Sequence, residues 1–214
     1  MSSDPKPASS GQTVAGVGHG ALVVVVGPSG AGKDRLIEGA RAMLADDKRF
    51  FFPRRVITRT PDRSENHNSI SSQDFTLAER RGEFFLSWSA HGLFYGIPAD
   101  VAQRLGNGQV VVCNVSRTII EAARQRWSHV SVVLVTAPTA MRAERLAARG
   151  RELAISERLG RTVADFDAAN ADFELDNSAS IEVAVRRLTD YLQRVAHSVL
   201  HGAVANRVAK STTG

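Results

Sequence analysis

ALVVVVGPSGAGKD, residues 21–34, joins an apolar, valine-rich run to a glycine-rich turn that ends in a lysine. The run Ala21–Val26 is short and apolar throughout, which is typical of a parallel strand buried on both faces. The turn fits the pattern G-x-x-x-x-G-K, in which glycines let successive backbone N–H groups point into one concavity. Apolar residues at helical spacing follow from Lys33 to Leu44, so the turn leads into a helix N-terminus. The predicted phosphate-binding residues are Gly27, Pro28, Ser29, Gly30, Ala31, Gly32, Lys33 and Asp34.

Two residues at the end of this turn bear on nucleotide chemistry. Lys33 is expected to reach the β- and γ-phosphates of a bound nucleotide. A Ser or Thr usually follows this lysine and places a hydroxyl on Mg²⁺, whereas this chain has Asp34. A carboxylate is also a good Mg²⁺ ligand, directly or through water, so Asp34 is the predicted metal ligand. The alternative is that Asp34 marks a loop that no longer handles a metal–nucleotide complex.

Strand and helix patterns alternate along the rest of the chain. This order predicts an α/β fold of the P-loop NTPase type, in which helices flank a parallel sheet joined by right-handed crossovers. Ligands of such sheets bind at the carboxyl ends of the strands. The further predicted strands are Arg54–Thr58, Gln109–Asn114, Val130–Thr136 and Asp172–Asp176, and the further helices are Ser116–Arg126, Thr139–Ala148 and Ile181–Val195.

The chain divides into a folded domain and two tails. Residues 1–19 are rich in Ser, Gly and Pro with few large apolar side chains, so we predict a disordered tail. Residues 20–196 are predicted to form one domain, and residues 197–214 a loose tail. Residues 59–96 break the alternation, and such a long stretch without regular structure is uncommon unless it has a function. We therefore predict an inserted subdomain there, with some strand.

Composition narrows the class of protein. The 214 residues are 43% hydrophobic and 23% charged, and the lone Cys113 excludes an intrachain disulfide. The longest apolar run is too short to cross a bilayer. We expect a cytoplasmic protein, a monomer or homodimer, without a membrane partner. Of 27 basic residues only four are lysines, and the arginines are dispersed, which argues against nucleic acid as a partner. The arginine excess fits phosphate recognition and fits a GC-rich genome equally well.

Six short motifs follow the loop, in this order: Ile57-Thr58-Arg59, Ser64-Glu65-Asn66-His67, Leu86-Ser87-Trp88, His91-Gly92-Leu93-Phe94-Tyr95-Gly96, Asn114-Val115-Ser116-Arg117 and Arg149-Gly150-Arg151-Glu152. Together they resemble the guanylate kinase superfamily and, more closely, the ribose 1,5-bisphosphate phosphokinase family, over about residues 21–177. An aspartate after the loop lysine also belongs to that family. The resemblance implies that residues 59–96 bind the acceptor and that residues 146–158 form a lid.

Two positions depart from guanylate kinases. Those enzymes read the guanine edge with a glutamate where this chain has Ser87, and a site that loses such a partner loses discrimination. They also carry an aspartate near the metal, where this chain reads Val112-Cys113-Asn114. The departures imply that the acceptor is not GMP and that Mg²⁺ binding depends more on Asp34 here than on the residue at this position in guanylate kinases.

The implied reaction is transfer of a phosphoryl group from ATP, with Mg²⁺, to a small phosphorylated sugar, ribose 1,5-bisphosphate. A phosphate acceptor is already anionic, so the site needs cations more than a general base. Two rival functions stay open: a nucleoside monophosphate kinase, guanylate kinase above all, and a kinase-like binding module without turnover. The predicted catalytic residues are Lys33, Arg149, Arg151 and Arg158; the substrate-binding residues are Arg59, Glu65, His67, Ser87, Tyr95 and Asn114, with Arg55 and Arg63 as secondary cations; Asn177 is predicted to lie beside the adenine.

Overall fold

The computed structural model describes residues 20–59, 67–148 and 170–211, with side chains in the last segment described through His201. The strands are β1 (Ala21–Val26), β2 (Phe50–Phe51), β3 (Arg55–Ile57), β4 (His67–Ser69), β5 (Phe84–Ala90), β6 (Leu93–Pro98), β7 (Val110–Asn114), β8 (Val130–Thr136) and β9 (Phe173–Asp176). The helices are α1 (Lys33–Met43), α2 (Ser72–Arg80), α3 (Val101–Gly106), α4 (Ile120–Arg126), α5 (Thr139–Ala147) and α6 (Ile181–Ser211), with a 3₁₀ turn (Arg117–Ile119) before α4.

A five-stranded parallel sheet forms the centre of the protein. Its strand order is β2-β7-β1-β8-β9, so β1 lies in the middle with β7 and β8 on its two sides. All six residues of β1 are buried. The predicted P-loop type of α/β fold is therefore confirmed, and the carboxyl ends of β1, β7 and β8 meet at one edge of the sheet.

Both faces of the sheet are covered by apolar side chains. Val23 and Val25 belong to a buried cluster with residues of α1 and α6, such as Leu36 and Leu188. The alternate residues of β1 belong to a second cluster with α3, α4 and the second sheet. Burying both faces explains why the strand is apolar throughout instead of alternating with polar residues.

The amino end of β1 is fixed from two sides. The Gly20 N–H donates to the Leu105 carbonyl at 3.1 Å. The indole Nε1–H of the buried Trp127 donates to the Gly20 carbonyl at 2.9 Å. These bonds anchor the chain where it enters the sheet, at the end of β1 away from the glycine-rich turn.

A second, smaller sheet has the strand order β4-β3-β6-β5. We call it the small sheet. Strands β5 and β6 form an antiparallel hairpin, and β3 pairs antiparallel with β6. Phe75 of α2 stacks on Phe84 and Phe94, with ring centroids 4.5 and 5.5 Å away. The described part of residues 59–96 thus forms most of this sheet.

One predicted strand belongs to a different sheet from the one expected. The prediction placed Arg54–Thr58 in the parallel sheet, whereas Arg55–Ile57 pairs within the small sheet. The parallel edge position is taken by Phe50–Phe51, beside β7. Pro53 follows this short strand, and because proline has no N–H to donate it favours the exit of the chain from the sheet. The sequence prediction was wrong here because a two-residue strand carries no periodicity.

The other predicted elements agree with the structure to within a few residues at their ends, apart from the last helix. That helix begins at Ile181 as predicted but continues to Ser211, into the segment predicted as a loose tail. Apolar residues continue past Val195, and Val199 packs against the buried cluster that contains Leu188, so the helix contacts the core beyond its predicted end. Two short helices, α2 and α3, were not predicted. Among the described residues, none of the helices is long and apolar enough to cross a membrane.

Candidate active site

The glycine-rich turn lies at the carboxyl edge of the parallel sheet. Gly27, Gly30 and Gly32 have φ angles of 145°, 81° and 93°, which residues other than glycine rarely adopt. A Cβ on Gly27 would lie 2.2 Å from the Val135 carbonyl oxygen of β8. Glycine is therefore required by the backbone path, and the turn has the shape of a phosphate cradle at the start of α1.

Lys33 folds back over this turn. Its Nζ donates to the carbonyl oxygens of Gly27 at 2.8 Å and Pro28 at 3.0 Å. The ammonium group is therefore held at the open side of the cradle, where the phosphates of a nucleotide would meet it. This is the position that the sequence pattern predicted for Lys33.

Side chains from segments that follow β8 in the sequence support the backbone of the turn. Asn177 is only 1% exposed, and its Nδ2 donates to the Ala31 carbonyl at 2.8 Å. Arg142 of α5, also buried, donates from Nε to the Ser29 carbonyl at 3.1 Å. Arg145 donates from Nη2 to the backbone carbonyl of Asn177 at 3.2 Å. The cradle is thus held in shape by a buried polar layer.

The structure gives Asn177 a role as a support of the cradle. Its side chain bonds to the backbone of the turn. Asn177 directly follows β9, and its N–H donates to the Thr136 carbonyl at the end of β8, which directs it inward. The predicted place of Asn177 beside the adenine stays a prediction.

Replacing Asn177 by alanine should loosen the cradle. The Ala31 carbonyl would lose its buried donor, which costs about 1–3 kcal/mol of unfolding free energy. We also expect weaker ADP binding, because the backbone around Ala31 would no longer be fixed. Denaturant unfolding and ADP titration would measure the two effects, with the exposed Asn107→Ala as the matched control. Equal stability of the Asn177→Ala variant and the unmodified protein would contradict this support role.

Asp34 is held by groups from two other elements. Its Oδ1 accepts from Arg55 Nη2 of the small sheet at 3.0 Å and from Asn114 Nδ2 of β7 at 2.8 Å. The Arg55 and Asp34 side chains are 13% and 31% exposed, so the ion pair is partly shielded from water. Asp34 thus joins the cradle, the parallel sheet and the small sheet at one point.

A metal ion would find few protein ligands in this region. Among the described residues, no cluster of three or more His, Cys, Asp or Glu side chains could hold one. A single carboxylate beside a phosphate cradle nevertheless suits Mg²⁺, which usually keeps several waters and takes one or two carboxylates together with substrate phosphates. The donor set around Asp34 therefore fits an ion that arrives with a nucleotide.

A cleft of about 380 Å³ lies between the cradle and the small sheet. Of the described residues that line it, Asp34 alone is acidic, whereas Lys33 and three arginines carry positive charge. Such a cleft attracts polyanions. Besides the cradle, its lining residues include Arg55, Arg59, Trp88, Ser89, Ala90, His91, Tyr95, Asn114, Val115, Ser116, Arg117, Thr118 and Leu146.

The small sheet presents an aromatic pair to the cleft. Trp88 and Tyr95 stack almost in parallel, with ring centroids 5.3 Å apart and an interplanar angle of 7°. The Trp88 side chain is half-buried, packs against the second buried cluster and lines the cleft. Tyr95 lies in the cleft, where a substrate-binding residue was predicted.

Ser87 bonds to helix α2. Its hydroxyl donates to Glu79 Oε1 at 2.6 Å, and Ser87 is not among the described residues that line the cleft, whereas Trp88, Ser89 and Ala90 are. The role of Ser87 as a substrate contact stays a prediction.

The other predicted site residues divide into two groups. Arg59 and Asn114 line the cleft, and His67 begins β4, in register with Arg55 of β3. Several predicted residues lie outside the described residues, and their roles stay predictions: Arg63, Glu65, Arg149, Arg151 and Arg158.

Two arginines around the cradle, Arg142 and Arg145, were missed by sequence reasoning. Arg142 and Arg145 lie three residues apart on α5, which is one face of a helix. Since α5 directly follows β8, a neighbour of β1, that face meets the turn. Burial and the nearby charge of Arg117 lower the pKa of Arg142 below its ordinary value. The three-residue spacing of Arg142 and Arg145 was the sequence signal that could have identified them as neighbours on one helix face.

Cys113 is buried at the end of β7. Burial raises the pKa of its thiol to about 12, and the positive charge of Arg55 opposes the rise. A thiol with such a pKa is a poor nucleophile at neutral pH. The structure therefore confirms the interpretation of Cys113 as a small buried hydrophobe.

No family model matches the chain. It is 45% identical over 174 residues to ribose 1,5-bisphosphate phosphokinase PhnN of Methylobacterium radiotolerans, covering 81% of this chain and 98% of that one. It is 42% identical over 188 residues to the protein of the same name from Rhodopseudomonas palustris, covering 87% and 93%. Guanylate kinase from Anaplasma phagocytophilum is similar in fold, with a TM-score of 0.59, 18% identity, and coverage of 82% and 85%. The resemblance inferred from the motifs is thus confirmed, and the chain belongs to the ribose 1,5-bisphosphate phosphokinase family.

Proposed function

We propose that this protein transfers the γ-phosphoryl group of ATP to ribose 1,5-bisphosphate, which gives ADP and 5-phosphoribosyl 1-diphosphate. The observation that carries the proposal is the cleft in which a phosphate cradle faces an arginine-lined small sheet. The names of the relatives supply the sugar, because charge alone does not distinguish one phosphorylated acceptor from another. We also propose a cytoplasmic location, where ATP is available.

The cradle suits the donor nucleotide. The backbone N–H groups of the turn and the start of α1 would bind the α- and β-phosphates, and Lys33 Nζ would exchange its carbonyl partners for the β- and γ-phosphates. Asp34 would hold Mg²⁺ directly or through water. When bound, the ion neutralises charge on the β- and γ-phosphate oxygens. Arg145 Nη1, buried next to Gly32 without a hydrogen-bond partner in the described residues, adds positive potential to the same loop.

The opposite wall suits an acceptor that carries its own charge. An oxygen of the acceptor's 1-phosphate attacks the γ-phosphorus, the bond between that phosphorus and the β-phosphate oxygen breaks, and ADP leaves. Because the attacking oxygen is already ionised, no general base is needed. Arg59 and Tyr95 would bind the acceptor phosphates, and the predicted lid residues Arg149, Arg151 and Arg158 would neutralise the transferring group.

The same wall offers little to a nucleobase. Ser87 is turned away and bonded to Glu79, and Asp34 is paired with Arg55 and Asn114. Among the described residues that line the cleft, Asp34 is the one carboxylate and it is already paired, so a guanine would find no other there to accept its N–H groups, and a polar group buried without a partner is costly. This supports a sugar phosphate over GMP as the acceptor.

A side-by-side acceptor assay tests the proposal. ADP release from ATP and Mg²⁺ would be followed with ribose 1,5-bisphosphate, GMP, AMP and ribose 5-phosphate, and the product identified by its diphosphate ³¹P signals. We expect turnover with ribose 1,5-bisphosphate to exceed that with GMP by about 10³-fold or more, given the discrimination of sites that lack a hydrogen-bond partner. Faster turnover with GMP would identify a guanylate kinase, and no turnover with any acceptor would favour a binding module.

A further inference from the structure

Arg55 belongs to the small sheet and is anchored to the donor site. It starts on β3 of the small sheet, and its Nη2 donates to Asp34, the residue that follows the loop lysine, at 3.0 Å. The same Asp34 oxygen accepts from Asn114 at the end of β7. An arginine of the acceptor wall is thus fixed by two residues of the nucleotide wall.

The location of this arginine matters for the chemistry. In phosphoryl transfer, the attacking oxygen must lie between the acceptor site and the γ-phosphate, roughly in line with the bond that breaks. Arg55 crosses from the small sheet toward Asp34 and lines the cleft together with Lys33 and Arg59. Asn114, at the end of β7, donates to the same Asp34 oxygen, so the guanidinium lies close to that strand end.

The ion pair with Asp34 is made by Nη2 of the guanidinium. An arginine carries five N–H donors in a rigid fork, so a group that donates to a carboxylate can also bind a phosphate. Fixing the fork in advance reduces the side-chain entropy that binding would otherwise cost. With its side chain 13% exposed, Arg55 is also shielded from water, which strengthens its attraction for an anion.

We infer that Arg55 binds the attacking phosphate of the acceptor, and that Asp34 and Asn114 are positioning residues that aim it. The inference rests on the proposed function and deepens it by naming the residue that meets the reacting oxygen. It also gives the aspartate after the loop lysine a second role, separate from the metal. A carboxylate has room for several hydrogen bonds, so the contact with Arg55 and a contact with metal-bound water are compatible.

Binding of the acceptor without nucleotide or metal tests this role. Ribose 1,5-bisphosphate would be titrated calorimetrically into the full chain in EDTA, with no nucleotide present. Arg55→Met should weaken binding by about 10–100-fold, the range expected for the loss of a charged hydrogen-bond donor. Arg54→Met is the matched control, because it removes the same charge from the exposed neighbouring residue, and it should change binding less than about 2-fold.

Asp34→Asn separates positioning from metal binding. If Asp34 aims Arg55, this variant should weaken acceptor binding several-fold even in EDTA. A residue that serves the metal alone would leave metal-free binding unchanged, and that result would overturn the positioning role. Arg55→Lys keeps the charge but loses the planar fork, so it should bind the acceptor with an intermediate affinity.

Each outcome points to one conclusion. No binding by the unmodified protein would overturn the proposed function and this inference with it. Equal binding by the unmodified protein and Arg55→Met would overturn the inference alone. The melting temperature of Arg55→Met, measured beside that of Arg54→Met, shows whether the variant folds. If that variant fails to fold, Arg55→Lys decides, and unchanged acceptor affinity in it would overturn the role of Arg55.

Discussion

Lys33→Ala should lower kcat by about 10³-fold, the range seen when a charge-stabilising group is removed from a phosphoryl-transfer site. The alanine leaves the β- and γ-phosphates without the cation that the structure holds at the open side of the cradle. The effect should fall mainly on kcat, because charge on the transferring group is greatest in the transition state. Steady-state ADP release with ribose 1,5-bisphosphate measures it.

Lys48, another of the four lysines of the chain, provides the control for this prediction. Lys48 is exposed, so Lys48→Ala removes the same charge from a surface site and should leave kcat unchanged. The melting temperature of Lys33→Ala should stay near that of the unmodified protein, since its Nζ bonds only partly buried carbonyls of the turn. A kcat close to that of the unmodified protein would refute the assignment of the cradle.

Gly27→Ala is expected to be the most destabilising single change at the site. Its φ of 145° is unfavourable for alanine, and the added Cβ would lie 2.2 Å from the Val135 carbonyl oxygen. That oxygen belongs to β8, which is paired with β1, so the contact is relieved only by moving a central strand. We expect a loss of about 2–5 kcal/mol in unfolding free energy, measured by chemical denaturation.

Gly92→Ala separates the clash from the backbone strain. Gly92 has a φ of 71°, and a Cβ there would meet nothing within 4 Å. The cost should therefore be about 1 kcal/mol, from the left-handed conformation alone. Similar costs for Gly27→Ala and Gly92→Ala would contradict the close approach of the turn to β8.

The sequence predicted the donor side of the site well. A valine-rich run, a glycine turn and a lysine at the start of a helix are local features, and each depends on residues that are neighbours in the chain. β1 begins and ends at the predicted residues, and the predicted cradle lies at its carboxyl end. Local hydrogen bonding and helix geometry are enough to determine such a unit.

The acceptor side was predicted less well because it depends on distant residues. Arg55 has its partner Asp34 21 positions earlier in the sequence, and Asp34 has its partner Asn114 80 positions later, so no short motif announces that arrangement. Which residues of β5 face the cleft depends on the pairing register of that strand, and β5 has an irregularity between Phe84 and Leu86. Tertiary pairing decides these positions.

Asn177 illustrates the same limit in the core. Its side chain bonds to Ala31, 146 residues earlier, so its role follows from β9 lying beside β8. The family resemblance placed the residue near the nucleotide, but a sequence pattern does not distinguish a ligand contact from a buried support.

The anchoring of Gly20 has a practical consequence for anyone handling the protein. The chain enters β1 at the edge opposite the cradle, and six strand residues separate the two by roughly 20 Å. An affinity tag, dye or surface linkage attached upstream of Gly20 therefore departs from the far side of the molecule. Immobilised protein for binding experiments is best tethered there, because substrates approach from the other side.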